Sequence, residues 1–190
     1  MKGANMGITT TELKPSFRDF IEAQPVFFVA TAAPEGRVNV SPKGLDSLKI
    51  VSNNQIVWLN VTGSGNETAA HVLENPRMTL MFCSFDEKPL TLRVYGTAEV
   101  YYPRHSEWKE LYAQFPDYAG ARNIFRLNID LVTTSCGSGV PCMSSITPRA
   151  ETELLPFYEE MSDEQIAAYW QKKNEESIDG KSTGIFADPI

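Results

Sequence analysis

Short runs of apolar residues, separated by turn-forming residues, fill the first two thirds of the chain. The run at 26–31, Val-Phe-Phe-Val-Ala-Thr, is the clearest, because β-branched and aromatic residues are typical of strands. Runs of this length between turn signals predict a sheet of closely spaced, mostly antiparallel strands. The predicted strands are residues 26–31, 38–41, 48–51, 56–60, 78–85, 90–101 and 124–134.

Four other segments show helical patterns. They are residues 14–23, 67–74, 106–114 and 162–173, and the last begins with a capping-box pattern between Ser162 and Gln165. Residues 177–190 are rich in Gly, Asp, Ser and Pro, and we expect a loosely ordered tail there. Six or seven strands with one helix inserted midway predict a mainly β protein with flanking helices, built as a small barrel.

The charge and cysteine content narrow the classes of partner. The chain of 190 residues has 24 acidic and 17 basic side chains, so its net charge is −7. This balance disfavours nucleic acid and anionic membranes as partners, since both attract positive surfaces. Three cysteines and two histidines predict free thiols and no metal site. Residues 1–11 lack a hydrophobic signal core and no apolar run approaches ~20 residues, so we expect a cytoplasmic protein.

A glycine-containing loop at 62–66 leads into the helix predicted at 67–74. The unpaired N–H groups at the start of a helix suit an anion such as a phosphate. The segment 41–44, Ser-Pro-Lys-Gly, lies just upstream and adds a cation. The competing interpretation is a capping box, in which Ser64 and Glu67 satisfy those N–H groups themselves.

Several motifs, taken in order, resemble the flavin-binding core of pyridoxamine 5′-phosphate oxidase-like proteins. The resemblance covers about residues 17–143. It implies an antiparallel split β-barrel of six to seven strands that binds flavin mononucleotide (FMN), with a C-terminal helical extension. The motifs are Val-Asn-Val-Ser-Pro-Lys-Gly at 38–44, Thr-Gly-Ser-Gly-Asn-Glu-Thr at 62–68, Glu-Asn-Pro-Arg at 74–77, Met-Phe-Cys-Ser-Phe at 81–85, Arg-Val-Tyr-Gly at 93–96 and Thr-Ser-Cys-Gly-Ser-Gly-Val-Pro at 134–141.

The same resemblance implies a domain division, an assembly and a set of cofactor contacts. Residues 12–147 are expected to form the FMN-binding domain, and residues 148–190 the helical extension and tail. A homodimer with one FMN per subunit at the interface is expected. The expected FMN contacts are Asn39, Val40, Ser41, Lys43, Val61, Thr62, Asn66, Glu67, Thr68 and Thr91.

Two departures from the family pattern change the expected chemistry. Glu67 and Thr68 stand where authentic oxidases have an Arg-Lys pair, and Val38 stands where they have an arginine. We therefore expect fewer cations for the phosphate and weaker or shifted FMN binding. The oxidases' substrate segment, with a tryptophan and paired arginines, has no counterpart after Thr147, so pyridoxine 5′-phosphate is not the expected substrate.

The resemblance implies an FMN-dependent oxidoreductase whose substrate and electron donor are open. No array of catalytic side chains stands out, which is consistent with chemistry carried by the cofactor. The alternative is a non-catalytic module that carries FMN, haem or another planar ligand. A deazaflavin-dependent reductase is a third option, although its more anionic cofactor requires more basic residues.

Overall fold

The computed structural model describes residues 7–187, in which eight strands form one antiparallel sheet. The hydrogen-bonded order is β3-β2-β6-β7-β8-β5-β4, and the two-residue β1 pairs with β8. No hydrogen-bonded ladder joins β3 to β4 within these residues, so the barrel is split there. The strands are β1 Thr9–Thr10, β2 Phe27–Thr31, β3 Asn39–Lys43, β4 Leu48–Ser52, β5 Gln55–Val61, β6 Arg77–Cys83, β7 Thr91–Tyr101 and β8 Ala121–Ser135.

The longest ladder joins β7 to β8 and contains a bulge after Tyr95. Gly96 follows this bulge, and a Cβ atom there would lie 1.9 Å from the carbonyl oxygen of Asn128. Only glycine fits so close to the neighbouring backbone. The bulge bends the sheet and helps it to curl into the predicted split β-barrel.

Aromatic side chains fill the barrel core. Trp58 is fully buried and stacks on Phe125, with ring centroids 4.5 Å apart. Phe27 meets Trp58 edge-on at 6.1 Å between centroids. Burial of each such side chain stabilises the fold by roughly 1.5–3 kcal/mol.

Five α-helices are present among the described residues, and none is long and apolar enough to cross a bilayer. The helix predicted at 106–114 is shorter than expected. The capping box of Ser162 and Gln165 is formed as predicted. The helices are α1 Pro15–Glu22, α2 Glu67–Glu74, α3 Trp108–Tyr112, α4 Leu155–Glu159, which continues a π-helical turn at Ala150–Leu154, and α5 Asp163–Lys173.

Residues 174–187, here called the C-terminal segment, pack against the barrel. Thr183 and Ile185 are buried, so the expectation of a loosely ordered tail is wrong for residues 177–187. The Tyr102 hydroxyl donates to the carbonyl of Thr183 at 2.5 Å, and the Arg104 guanidinium donates to the carbonyls of Gly184 and Ile185. Donors just after β7 thus satisfy three carbonyls of the segment, and composition alone does not reveal these contacts. The expectations for residues 188–190 and for residues 1–6 lie outside the described residues.

Candidate functional site

A cleft of about 740 Å³ opens beside α2, a volume typical of small-molecule sites. Its walls come from β3, the end of β5, the loop before α2 and the last turn of α5. Residues 176–178 of the C-terminal segment complete the outer wall. Distant parts of the chain therefore meet at the glycine-containing loop.

The start of α2 faces this cleft without a side-chain cap. Asn66 is the N-cap residue, and its side chain makes no capping hydrogen bond. The alternative capping box of Ser64 and Glu67 is not formed, because the Glu67 carboxylate accepts from the N–H of Ile178 instead, at 3.0 and 3.1 Å. The first-turn N–H groups and the positive end of the helix dipole thus favour an anion.

Lys43 places a cation in the cleft. Its Nζ donates to Asn60 Oδ1 at 2.9 Å and lies 5.5 Å from the centroid of the Trp58 ring. Burial, and to a smaller extent the positive charge of Arg122, together lower the pKa of the Lys43 ammonium to about 8. Lys43 is therefore mostly protonated at neutral pH and gains from a nearby anion.

Arg122 is a second cation, and it is only 2% exposed. Its Nη1 donates to the carbonyl of Gly65 at 2.9 Å, whereas its Nε has no acceptor among the described residues. No described carboxylate pairs with it, and burial lowers its pKa to about 10. A buried, unpaired cation is costly. An anionic ligand in the cleft would supply the missing counter-charge.

Side-chain hydrogen bonds connect β3 to α2. The Asn39 amide donates to Thr68 Oγ1 at 3.2 Å, and the Ser41 hydroxyl donates to Asn39 Oδ1 at 3.0 Å. His71 also lines the cleft, and its Nδ1 lies 3.1 Å from the Thr31 hydroxyl. These contacts fix the strand that carries Lys43 against the helix that offers its N-terminus.

Seven of the ten predicted contacts line this cleft, and three do not. Val40 lies between two cleft-facing residues of β3, and the alternation of a strand turns it to the opposite face. Thr62 is buried behind the loop, where its hydroxyl donates to the Gly120 carbonyl. Thr91 is buried at the start of β7, away from the cleft of its own chain. The seven that line it are Asn39, Ser41, Lys43, Val61, Asn66, Glu67 and Thr68.

The cleft carries more cations than the recognised motifs alone indicate. Five cationic side chains line it, against the two carboxylates of Glu67 and Glu176. Four of these cations were missed because none lies within the recognised motifs. They are Arg37, Arg122, Lys172 and Lys173.

The residues that line the cleft fit a phosphate-bearing ligand. The buried positive charge of Arg122, the uncapped start of α2 and the Lys43 ammonium all favour a compact anion. The remaining space and the apolar side chains of Val38 and Val61 leave room for a larger, uncharged portion. The chain overall is acidic, so this attraction is local.

Sequence comparison places the chain among known proteins. A family model for pyridoxamine 5′-phosphate oxidase matches residues 13–136. A pyridoxamine 5′-phosphate oxidase family protein of Aspergillus flavus, ustO, is 37% identical over 163 residues. That match covers 80% of this chain, while the chain spans only 64% of the relative's length.

Solved structures share the fold at low sequence identity. A HupZ variant from Group A Streptococcus has a TM-score of 0.53 and 20% identity, covering 64% of this chain and 98% of that one. A Lactobacillus delbrueckii protein also has a TM-score of 0.53, with 22% identity over 65% of this chain and 94% of its own.

Proposed function

The chain belongs to the pyridoxamine 5′-phosphate oxidase family, and we propose that it binds FMN in the cleft beside α2 and acts as an FMN-dependent oxidoreductase. The observation that carries this proposal is Arg122, a buried cation that lines a cleft of ligand size and has no carboxylate partner among the described residues. Lys43 and the start of α2 add two further attractions for the same phosphate.

Different residues of the cleft would contact different parts of the cofactor. Lys43, Arg122 and the first turn of α2 would hold the phosphate, while Asn39 and Ser41 would offer polar groups along β3. FMN, when bound, supplies hydride and electron transfer. Asn60 fixes the Lys43 ammonium through its hydrogen bond, and the buried Trp58 ring keeps water away from one side of that ammonium. Lys43 Nζ therefore holds a proton that is lost more readily than that of an exposed lysine.

Pyridoxine 5′-phosphate is not the proposed substrate. Only one arginine, Arg149, follows Thr147, so the chain lacks the paired arginines expected of the oxidases. The residues after 147 build α4, α5 and the C-terminal segment instead. Substrate specificity in this chain is thus set by different groups from those of the authentic oxidases.

The proposal includes a homodimer. Val40 on the edge strand β3 and Val38 just before it are 62% and 71% exposed, which is unfavourable for a strand edge left in water. A second copy that covers this edge removes the apolar surface. Light scattering should give about twice the chain mass of 21.2 kDa; a monomeric mass would contradict the dimer but leave the cleft unchanged.

The cofactor and its redox activity are tested together by titration and photoreduction. Added FMN should lose its fluorescence on binding, and the bound flavin should be photoreduced and then reoxidised by oxygen or a nicotinamide cofactor. No quenching would overturn FMN binding. Bound flavin that cannot be reoxidised would instead favour the non-catalytic carrier, and a haem-type absorbance band on adding haemin would favour a haem carrier, with His71 as the histidine that lines the cleft.

A further inference from the structure

The C-terminal segment is hydrogen-bonded directly to the loop that begins α2. The Asn174 amide donates to the Gly63 carbonyl at 2.9 Å, and the Asn174 carbonyl accepts from Asn66 Nδ2 at 3.4 Å. Thr183 donates from its hydroxyl to the same Asn174 carbonyl at 2.6 Å. Asn174 and Thr183 are fully buried, so these bonds are shielded from water. The loop and the segment therefore form one packed unit.

The end of α5 is anchored to the same loop. The Trp170 indole N–H donates to Thr62 Oγ1 at 2.7 Å. Lys172 and Lys173 follow within one turn, and both line the cleft opposite the barrel strands. Neither lysine forms an ion pair with an acid in the part of the chain that the structure describes. The negative end of the helix dipole favours cations in the last turn of α5. This effect does not explain why both lysines line the cleft.

Two more contacts fix the segment across the cleft. The Ile178 N–H is held by Glu67 of α2, and the Asp179 carboxylate accepts from the backbone N–H of Arg37 at 2.7 Å and pairs with its guanidinium. The segment thus bridges the helix on one side and the approach to β3 on the other. Its position relative to the phosphate-binding loop is set by these contacts.

We propose that the end of α5 forms a second cationic wall of the phosphate site, in which Lys172 and Lys173 bind the phosphate monoester of the cofactor. This inference rests on the proposed function. Glu67 occupies a position where a cation is expected in the authentic oxidases, and here it fixes the segment instead. Lysine is a mobile point charge on a long stem, which suits a phosphate reached from outside the loop. The two lysines supply the positive charge that Glu67 and Thr68 do not provide at the start of α2.

Titration with FMN and with riboflavin tests this role, because riboflavin lacks only the phosphate. In the double variant Lys172→Gln/Lys173→Gln, the FMN dissociation constant should rise at least tenfold, while riboflavin affinity stays unchanged. The matched control is Lys88→Gln/Lys109→Gln, which removes two exposed lysines outside the cleft. The control should bind both flavins as the wild type does.

The outcomes separate this inference from the proposed function. Wild-type protein that binds neither flavin would overturn both. Wild-type binding of FMN with an unchanged FMN-to-riboflavin ratio in the double variant would overturn only the role of the two lysines. A parallel loss of both flavins would show a structural role and also overturn it. The variant Lys172→Arg/Lys173→Arg should retain the FMN preference, and thermal melting should confirm that every variant is folded.

Discussion

Both carboxylate oxygens of Glu67 accept the backbone N–H of Ile178, at 3.1 and 3.0 Å, although the residues lie 111 positions apart. This contact explains why Glu67 does not cap its own helix. It also holds the C-terminal segment over the cleft, while the N-cap side chain of Asn66 leaves the first-turn N–H groups of α2 uncapped. An acidic residue at the start of the phosphate-binding helix is therefore compatible with an anion site.

Replacing Glu67 by alanine should loosen the C-terminal segment. A hydrogen bond to a charged group contributes about 1.5–3 kcal/mol, so the melting temperature should fall measurably. Hydrogen exchange of the Ile178 amide should become faster. The control Glu110→Ala removes an exposed acid from α3 and should change neither quantity. Unchanged exchange at Ile178 in Glu67→Ala would contradict the contact.

Removing the ammonium of Lys43 should weaken FMN binding. Loss of one charge-assisted contact in Lys43→Met corresponds to about 10- to 100-fold in the dissociation constant. The affinity for riboflavin should fall less, since riboflavin has no phosphate. Fluorescence titration measures both constants, and Lys109→Met serves as the exposed control. Equal affinity of Lys43→Met and wild type for FMN would remove Lys43 from the phosphate site.

The pKa of Lys43 predicts a pH optimum for FMN affinity. A phosphate monoester gains its second charge near pH 6, so affinity should rise through that region. Above about 8 the free protein loses the Lys43 proton, and affinity should fall again. Titrations from pH 5.5 to 9.5 check this profile. In Lys43→Met the decline above pH 8 should disappear, and a decline that persists there would assign it to another group.

The lowered pKa of Lys43 also determines how the free energy of unfolding changes with pH. The folded-state pKa of Lys43, about 8, lies below the ordinary lysine value of 10.5, so between these values the unfolded chain binds more protons. The Lys43 contribution to the free energy of unfolding of the ligand-free protein therefore rises with pH from about 8 to 10.5. Denaturant unfolding of wild type and Lys43→Met measures it as the difference between their pH profiles. A difference that falls across this window would contradict the burial of the cation.

The hydrogen bond between Trp170 and Thr62 should couple α5 to the loop. Trp170→Phe and Thr62→Val each remove one partner, and a double-mutant cycle isolates their interaction. We expect a coupling free energy of about 0.5–1.5 kcal/mol from denaturant unfolding. The control is Trp108→Phe, which changes a tryptophan of α3 that stacks on Tyr112. It should show no coupling to Thr62→Val. Additive effects of the first pair would contradict the anchoring of α5.

The strands, α2 and the loop before it were predictable because each is encoded by local patterns of a few residues. Arg122 was not, since its approach to Gly65, 57 residues away, depends on the register between β5 and β8. The packing of residues 177–187 was missed for a similar reason. Their composition is that of a loop, and only the folded structure shows which side chains donate hydrogen bonds to their carbonyls. Alternation within β3 would have excluded Val40 from the cleft. The predicted dimer, the cytoplasmic location and a cofactor contact for Thr91 stay predictions.

The absorbance spectrum of the freshly purified protein, followed by mass spectrometry of any released ligand, tests FMN binding most directly. The account predicts flavin bands near the visible–ultraviolet boundary and the mass of FMN in the released material, or, for protein purified without ligand, the same bands after FMN is added and unbound flavin removed. A colourless protein that retains no added FMN, or one that releases a different cofactor, would contradict it.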